Sequence, residues 1–91
     1  MVKLITRHQV KDFEQWRRAY RGFADLRARH GVLSDEVFQA MDNPCDVTVT
    51  HELKDAQAAE ALLRSEEIRA AVSEAGVIGE PTIWLTRPIA K

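Results

Sequence analysis

Val47-Thr48-Val49-Thr50-His51-Glu52-Leu53 alternates apolar and polar side chains almost strictly. That period of two marks a strand with one buried face, and it is the clearest strand in the chain. Just upstream, Asp42-Asn43-Pro44-Cys45-Asp46 reads as a turn, because Pro presets φ and Asn and Asp favour turn positions. Val32 to Met41 precedes it as another strand. Downstream, Asp55 is placed to cap a helix over Ala56 to Leu63. Ser65 is placed to cap a further short helix over Glu66 to Ala75, ending at Gly76. Glu66 and Glu67 fall where the helix dipole favours negative charge.

Further out, Val2 to Gln9 is rich in β-formers and reads as the first strand. Asp12 looks like a helix N-cap, with Gln15 in the capping-box position. Phe13, Trp16, Tyr20, Phe23 and Arg27 then recur at intervals of three and four, one face of a helix that closes at His30-Gly31. Pro81 opens the last strand, Thr82 to Pro88, at the strand position where Pro is tolerated.

The order β-α-β-β-α-β is the split-βαβ, ferredoxin-like arrangement of the α+β class: a four-stranded antiparallel sheet ordered 4-1-3-2 with its helices on one face. Pairing strands one and three about their centres sets Leu4 opposite His51 and His8 opposite Val47. Val2, Leu4, Thr6, His8, Val47, Val49, His51 and Leu53 then lie under the helices. Lys3, Ile5, Arg7, Thr48, Thr50 and Glu52 lie on the other face, with Lys3 across from Glu52 as a favourable pair. A slip of one residue would invert both faces.

The 91 residues suit a single domain, 1–91, whose small core supplies modest stability. With one cysteine, Cys45, no internal disulfide forms, and no Cys/His cluster has metal-site spacing. Self-association is the remaining supplement, and a bare sheet face gives a reason for it: homodimerisation is expected. Thirteen basic and fourteen acidic residues are spread along the chain, with a formal net charge of −1. Arg17, Arg18, Arg21, Arg27 and Arg29 share their helical stretch with Asp12, Glu14 and Asp25 and read as a solvated face. Nucleic acid is not expected as a partner, because the open face offers Thr48, Thr50 and Glu52 in place of aromatics and a basic patch. The N-terminus lacks signal-peptide features and no segment has the ~20 apolar residues that cross a bilayer, so a cytoplasmic protein without membrane contact is expected.

Three stretches resemble a known family: His8-Gln9-Val10-Lys11-Asp12-Phe13-Glu14-Gln15-Trp16, Asp42-Asn43-Pro44, and Ala75-Gly76-Val77-Ile78-Gly79-Glu80-Pro81. They look like dimeric α+β barrel proteins, most of all small bacterial members of the antibiotic biosynthesis monooxygenase superfamily and related cyclases. The likeness runs from about residue 2 to 87. It implies a dimer with sheets packed face to face, a pocket between each sheet and its helices, and one of several reactions. Cofactor-free oxygenation of polyketide quinols and anthrones, haem degradation and polyketide cyclisation all occur in that superfamily, beside proteins of no assigned role.

On this resemblance the pocket is lined by Phe13, Trp16, Tyr20 and Phe23, with His8 and His51 entering from the sheet. An apolar pocket with few inward polar groups is the usual small-molecule site, although a stripe of aromatics at helical spacing also serves as plain core. His51 interrupts an apolar strand face, and an imidazole suits proton transfer at neutral pH. A hydrogen-bonded core histidine is the bland alternative for both His51 and His8. About four residues apart along the sheet, they can flank one ligand without sharing a metal. Cyclases of this fold use sheet histidines with a tyrosine, which gives those parts to His8, His51 and Tyr20. Trp84 lines either the pocket or the dimer face according to its parity, and counts as a ligand-binding candidate. Cys45 has no nearby histidine to activate it and reads as a free turn thiol. No histidine falls in the second helical region to serve as a haem ligand, so haem degradation is not expected, and the cofactor-free reading that the resemblance implies calls for no cofactor. The expectation is a cofactor-free monooxygenase or cyclase acting on an aromatic or polyketide-like compound. The rival is a binding or structural homodimer without catalysis.

Overall fold

The computed structural model describes residues 1–91. The elements are β1 (Val2–Val10), α1 (Phe13–Gly22), α2 (Ala24–Arg29), β2 (Ser34–Ala40), β3 (Asn43–Leu53), α3 (Ala56–Arg64), α4 (Glu66–Glu74) and β4 (Val77–Thr86). The sheet is antiparallel in the order β2-β3-β1-β4, the expected ferredoxin-like order. The β1–β3 register also agrees: Leu4 pairs with His51 and His8 with Val47. The facing read from β3 therefore holds, with Val47, Val49 and Leu53 buried beneath the helices with Leu4, although Asp46 and Thr50 of the opposite parity are buried too.

The core has two parts. Val10, Trp16, Val47, Val49 and Ala75 form one cluster; Leu4, Leu53, Ala59 and Leu62 form the other. The starts of α1, α3 and α4 are each fixed by a side-chain cap. Asp12 Oδ2 accepts from Gln15 N at 2.8 Å, Asp55 Oδ1 from Ala58 N at 2.8 Å, and Ser65 Oγ from Ile68 N at 3.2 Å. Each such bond satisfies one otherwise orphaned amide. Gly31 (φ 92°) and Gly76 (φ 87°) take left-handed backbone just beyond α2 and α4, which a side chain would resist.

Four expectations need correction. The first helix is broken at Phe23 (φ −99°, ψ 16°), directly after Gly22, a poor helix former. The last strand begins at Val77 and ends at Thr86. Its pairing shifts between Arg7–Thr82 and Gln9–Ile78, and the bulge between absorbs Gly79 (φ 72°) and Pro81 where no regular ladder is needed. The turn before β3 is confined to Met41-Asp42. β3 already runs from Asn43, its pairing displaced around Pro44, whose carbonyl accepts from Gln39 Nε2. Finally, Lys3 and Glu52 are register partners, but the Lys3 ammonium lies 3.7 Å from Glu36 instead, while Glu52 accepts from Ser34.

The helix-free face carries Ile5 and, paired with it, Trp84. Phe38 lies on the same face by its pairing with Thr48, and Ile78 by its pairing with Gln9. Phe38, Trp84 and Ile78 remain about half exposed. Among them Arg7 clasps the buried carboxylate of Asp46 with two hydrogen bonds, of 3.0 and 2.6 Å.

Candidate active site

Between the sheet and the helices lies a cavity of about 540 Å³. One wall is Trp16, Tyr20, Phe23, Leu26 and Arg27, spaced at helical intervals along α1 and α2. The floor is Leu4, Thr6, His8, Val49 and His51 from β1 and β3, all on the same parity. The α3–α4 pair supplies Leu62, Leu63, Ile68 and Val72, and the β4 bulge turns Glu80 and Pro81 into the rim.

A chain of rings runs along the cavity. His8 lies 5.6 Å from Trp16, Trp16 stacks on Tyr20 at 4.8 Å, and Tyr20 lies 6.3 Å from His51. At the His51 end four polar side chains converge. The Tyr20 hydroxyl is 2.5 Å from Asp35 Oδ2 and 3.1 Å from His51 Nε2. The Arg27 guanidinium lies over the Tyr20 ring, 3.6 Å from its centroid, donates to the Tyr20 carbonyl at 2.5 Å, and stands 3.9 Å from Asp35.

These distances decide who donates. A tyrosine has one hydroxyl proton, and an ionised carboxylate only accepts. The 2.5 Å separation is that of a charge-assisted bond, so the proton points to Asp35. His51 Nε2 must then carry hydrogen and donate to the Tyr20 oxygen. Its Nδ1 is left as the bare nitrogen, buried without a partner, as is Nε2 of His8.

Burial depresses the pKa of His51 to about 4, helped by the positive charge of Arg27 and opposed by Asp35. Burial also lowers that of His8, against the pull of Asp46. Both imidazoles are therefore uncharged at neutral pH. Burial and the bond to Asp35 push the Tyr20 hydroxyl well up, which keeps it protonated. The cavity thus offers neutral bases, a proton-bearing hydroxyl and, beside them, the Arg27 guanidinium. No three His, Cys, Asp or Glu side chains converge as a metal-ligand group.

Of the residues singled out from sequence, His8, His51, Tyr20, Trp16 and Phe23 meet at this cavity. Phe13 does not line it; it packs on the core cluster beside Trp16. Trp84 does not line it either, because pairing with Ile5 gives it the parity of the helix-free face. Cys45 is half-buried in β3, with Sγ 3.9 Å from the Lys11 carbonyl, and not in an open turn. Sequence reasoning passed over Asp35 and read Arg27 as solvated. The signal for Arg27 was its place on the aromatic stripe, four residues after Phe23. Asp35 is the β2 partner of His51, which only the β2–β3 register reveals.

The sequence matches the antibiotic biosynthesis monooxygenase family over residues 1–74. The chain belongs to that family. The family match ends with α4, whereas the solved structures that resemble this antibiotic biosynthesis monooxygenase family member also span β4. One, an antibiotic biosynthesis monooxygenase, is 18% identical with a TM-score of 0.77 over 99% of this chain and 100% of the other. A conserved protein from Methanosarcina mazei is 19% identical, with a TM-score of 0.75 over 94% and 90%. SnoaB, a cofactor-independent oxygenase from Streptomyces nogalater, is 15% identical, with a TM-score of 0.75 over 97% and 94%. At such identities the likeness is one of fold. No curated protein matches the chain.

Proposed function

We propose that this chain is a cofactor-free monooxygenase acting by acid–base chemistry on a flat, hydroxylated aromatic or polyketide-like compound. The observation that carries the reading is the hydrogen-bonded Tyr20–His51 pair on an apolar cavity, in a member of this family. A neutral histidine, His51 or His8, takes a proton from an acidic hydroxyl or an activated CH₂ of the substrate. The resulting anion gives its electrons to O₂. One oxygen atom becomes a substrate carbonyl and the other leaves as water, so the substrate is its own reductant. Trp16, Tyr20 and Phe23 supply flat surfaces to hold the rings and exclude water.

The reading includes a homodimer formed through the helix-free face, in the cytoplasm. Half-exposed Phe38, Trp84 and Ile78 on that face support the dimer, and the free Cys45 thiol suits a reducing compartment. No helix is long and apolar enough to cross a membrane.

Replacing His51 and His8 singly by alanine tests the chemistry. At least one variant should lose turnover by about a hundredfold or more, the usual worth of a positioned acid or base, with unchanged circular dichroism. Full turnover in both would remove histidine from the mechanism. The same cavity would serve a cyclase, in which the base removes a carbon-bound proton and Tyr20 holds the enolate oxygen. Product formation without oxygen consumption identifies that case.

A further inference from the structure

Arg27 is the unusual member of the cavity wall. Its side chain is 13% exposed, yet of the five N–H donors of a guanidinium only one makes a hydrogen bond, to the Tyr20 carbonyl. Asp35, at 3.9 Å, is too far to accept from it, and its nearer oxygen is occupied by the Tyr20 hydroxyl. None of the Arg27 nitrogens is among the atoms sealed from solvent without a partner, so its unspent donors are reachable. Asp35, more than a third exposed, offers Arg27 only a distant charge partner, so the remaining donors of this largely buried cation are left without a hydrogen-bond acceptor. The guanidinium carbon sits 3.6 Å from the Tyr20 ring centroid, which holds the fork at the cavity wall.

We propose that the cavity takes its ligand as an anion, an aromatic acid whose negatively charged oxygen, carboxylate or ionised hydroxyl, is seated on Arg27. This rests on the reading of the cavity as an aromatic site and adds the charge of the ligand. Asp35 is the one anion beside Arg27, and its nearer oxygen is held by the Tyr20 hydroxyl; the other charged groups lining the cavity, Arg69 and Glu80, offset each other in sign. That leaves Arg27 as the group that sets selectivity. A planar fork favours a carboxylate, which it meets with two parallel bonds, over a neutral amide of the same shape.

Isothermal titration calorimetry of the full chain at neutral pH, with naphthoate, naphthol and naphthamide of matched substitution, tests this. Naphthoate should bind at least about tenfold more tightly than naphthamide, as expected of a hydrogen bond to a charged group. Arg27→Gln should abolish that preference, and Arg27→Lys, which keeps the charge without the fork, should retain part of it. A naphthol that tightens as the pH is raised through its own ionisation marks an ionised hydroxyl as a second acceptable source of the anion. Naphthamide binding as well as naphthoate, with naphthol indifferent to its ionisation, would overturn the anion inference and leave the aromatic site standing. Binding of none of the three to the folded protein would overturn both. The comparison of ligands on the unmodified protein stands even if an Arg27 variant fails to fold.

Discussion

Tyr20 has one hydroxyl proton and two neighbours able to accept its hydrogen bond, and the shorter contact decides the arrangement: Tyr20 donates to Asp35, and His51 donates to the Tyr20 oxygen. Asp35 and Arg27 thereby act on His51 in opposite senses, the carboxylate favouring its protonation and the guanidinium opposing it. The ring of His51 should titrate near pH 4 by NMR. Arg27→Gln should move that midpoint upward and Asp35→Asn downward. A midpoint near the ordinary histidine value of about 6.5, unmoved by either change, would contradict the arrangement. Little of this polar cluster was legible beforehand. His51 stood out because it broke an apolar face. Asp35 did not, since an acidic residue on a polar edge strand looks like any other until its register with His51 is known. Arg27 was hidden by the arginines around it, although its helical interval from Tyr20 and Phe23 already placed it on the inner stripe.

Strands and helices show which local signals survive tertiary context. The alternation in β3 specified its faces and its pairing with β1, because a slip of one residue would have carried Val47, Val49 and Leu53 out of the core. The caps at Asp12, Asp55 and Ser65 were equally readable, each being a purely local bond. Asp55→Ala should lower stability to denaturant by about 1 kcal/mol, and an unchanged midpoint would deny the cap its role. The start of β4 was not readable. Gly79 and Pro81 are ordinary strand breakers, and only the bulge opposite β1 lets the ladder resume upstream at Val77 and Ile78. That bulge also brings Glu80 and Pro81 to the cavity rim. Gly79, at φ 72°, should tolerate no side chain cheaply, even though a methyl group there meets nothing within 4 Å. Gly79→Ala is expected to cost about 1–2 kcal/mol through backbone strain alone, measured by the same denaturation.

For the whole molecule, only 13 of 91 residues are buried, so modest changes in charge weigh heavily against a small core. The depressed histidines make stability depend on pH in a definite direction. Between pH 6.5 and about 4 the unfolded chain binds a proton at His51 that the folded chain refuses. Stability therefore falls as the pH is lowered through that window, by on the order of 3 kcal/mol for this group. His8 acts in the same sense. At lower pH the stabilising effect of ionised Asp46 is lost in turn, because its bonds from Arg7 hold its carboxyl below the usual range. Urea unfolding across this range should show His51→Gln to be flatter than the parent; parallel curves would refute the account. The helix-free face makes a separate claim. If the proposed dimer forms through it, Trp84→Glu should shift the protein to monomer in sedimentation velocity; a parent that sediments as monomer, or an assembly unaltered by the change, would contradict that dimer. The central claim, oxygenation at this cavity by the chain's own acid–base groups, is tested most directly by oxygen uptake. The purified protein, without added metal or cofactor, is given a panel of quinols, anthrones and polyhydroxylated aromatics. Uptake above the spontaneous rate for at least one of them, and its loss on replacing His51 or His8 by alanine, is the predicted result. Binding of the panel with no uptake above the spontaneous rate would contradict it.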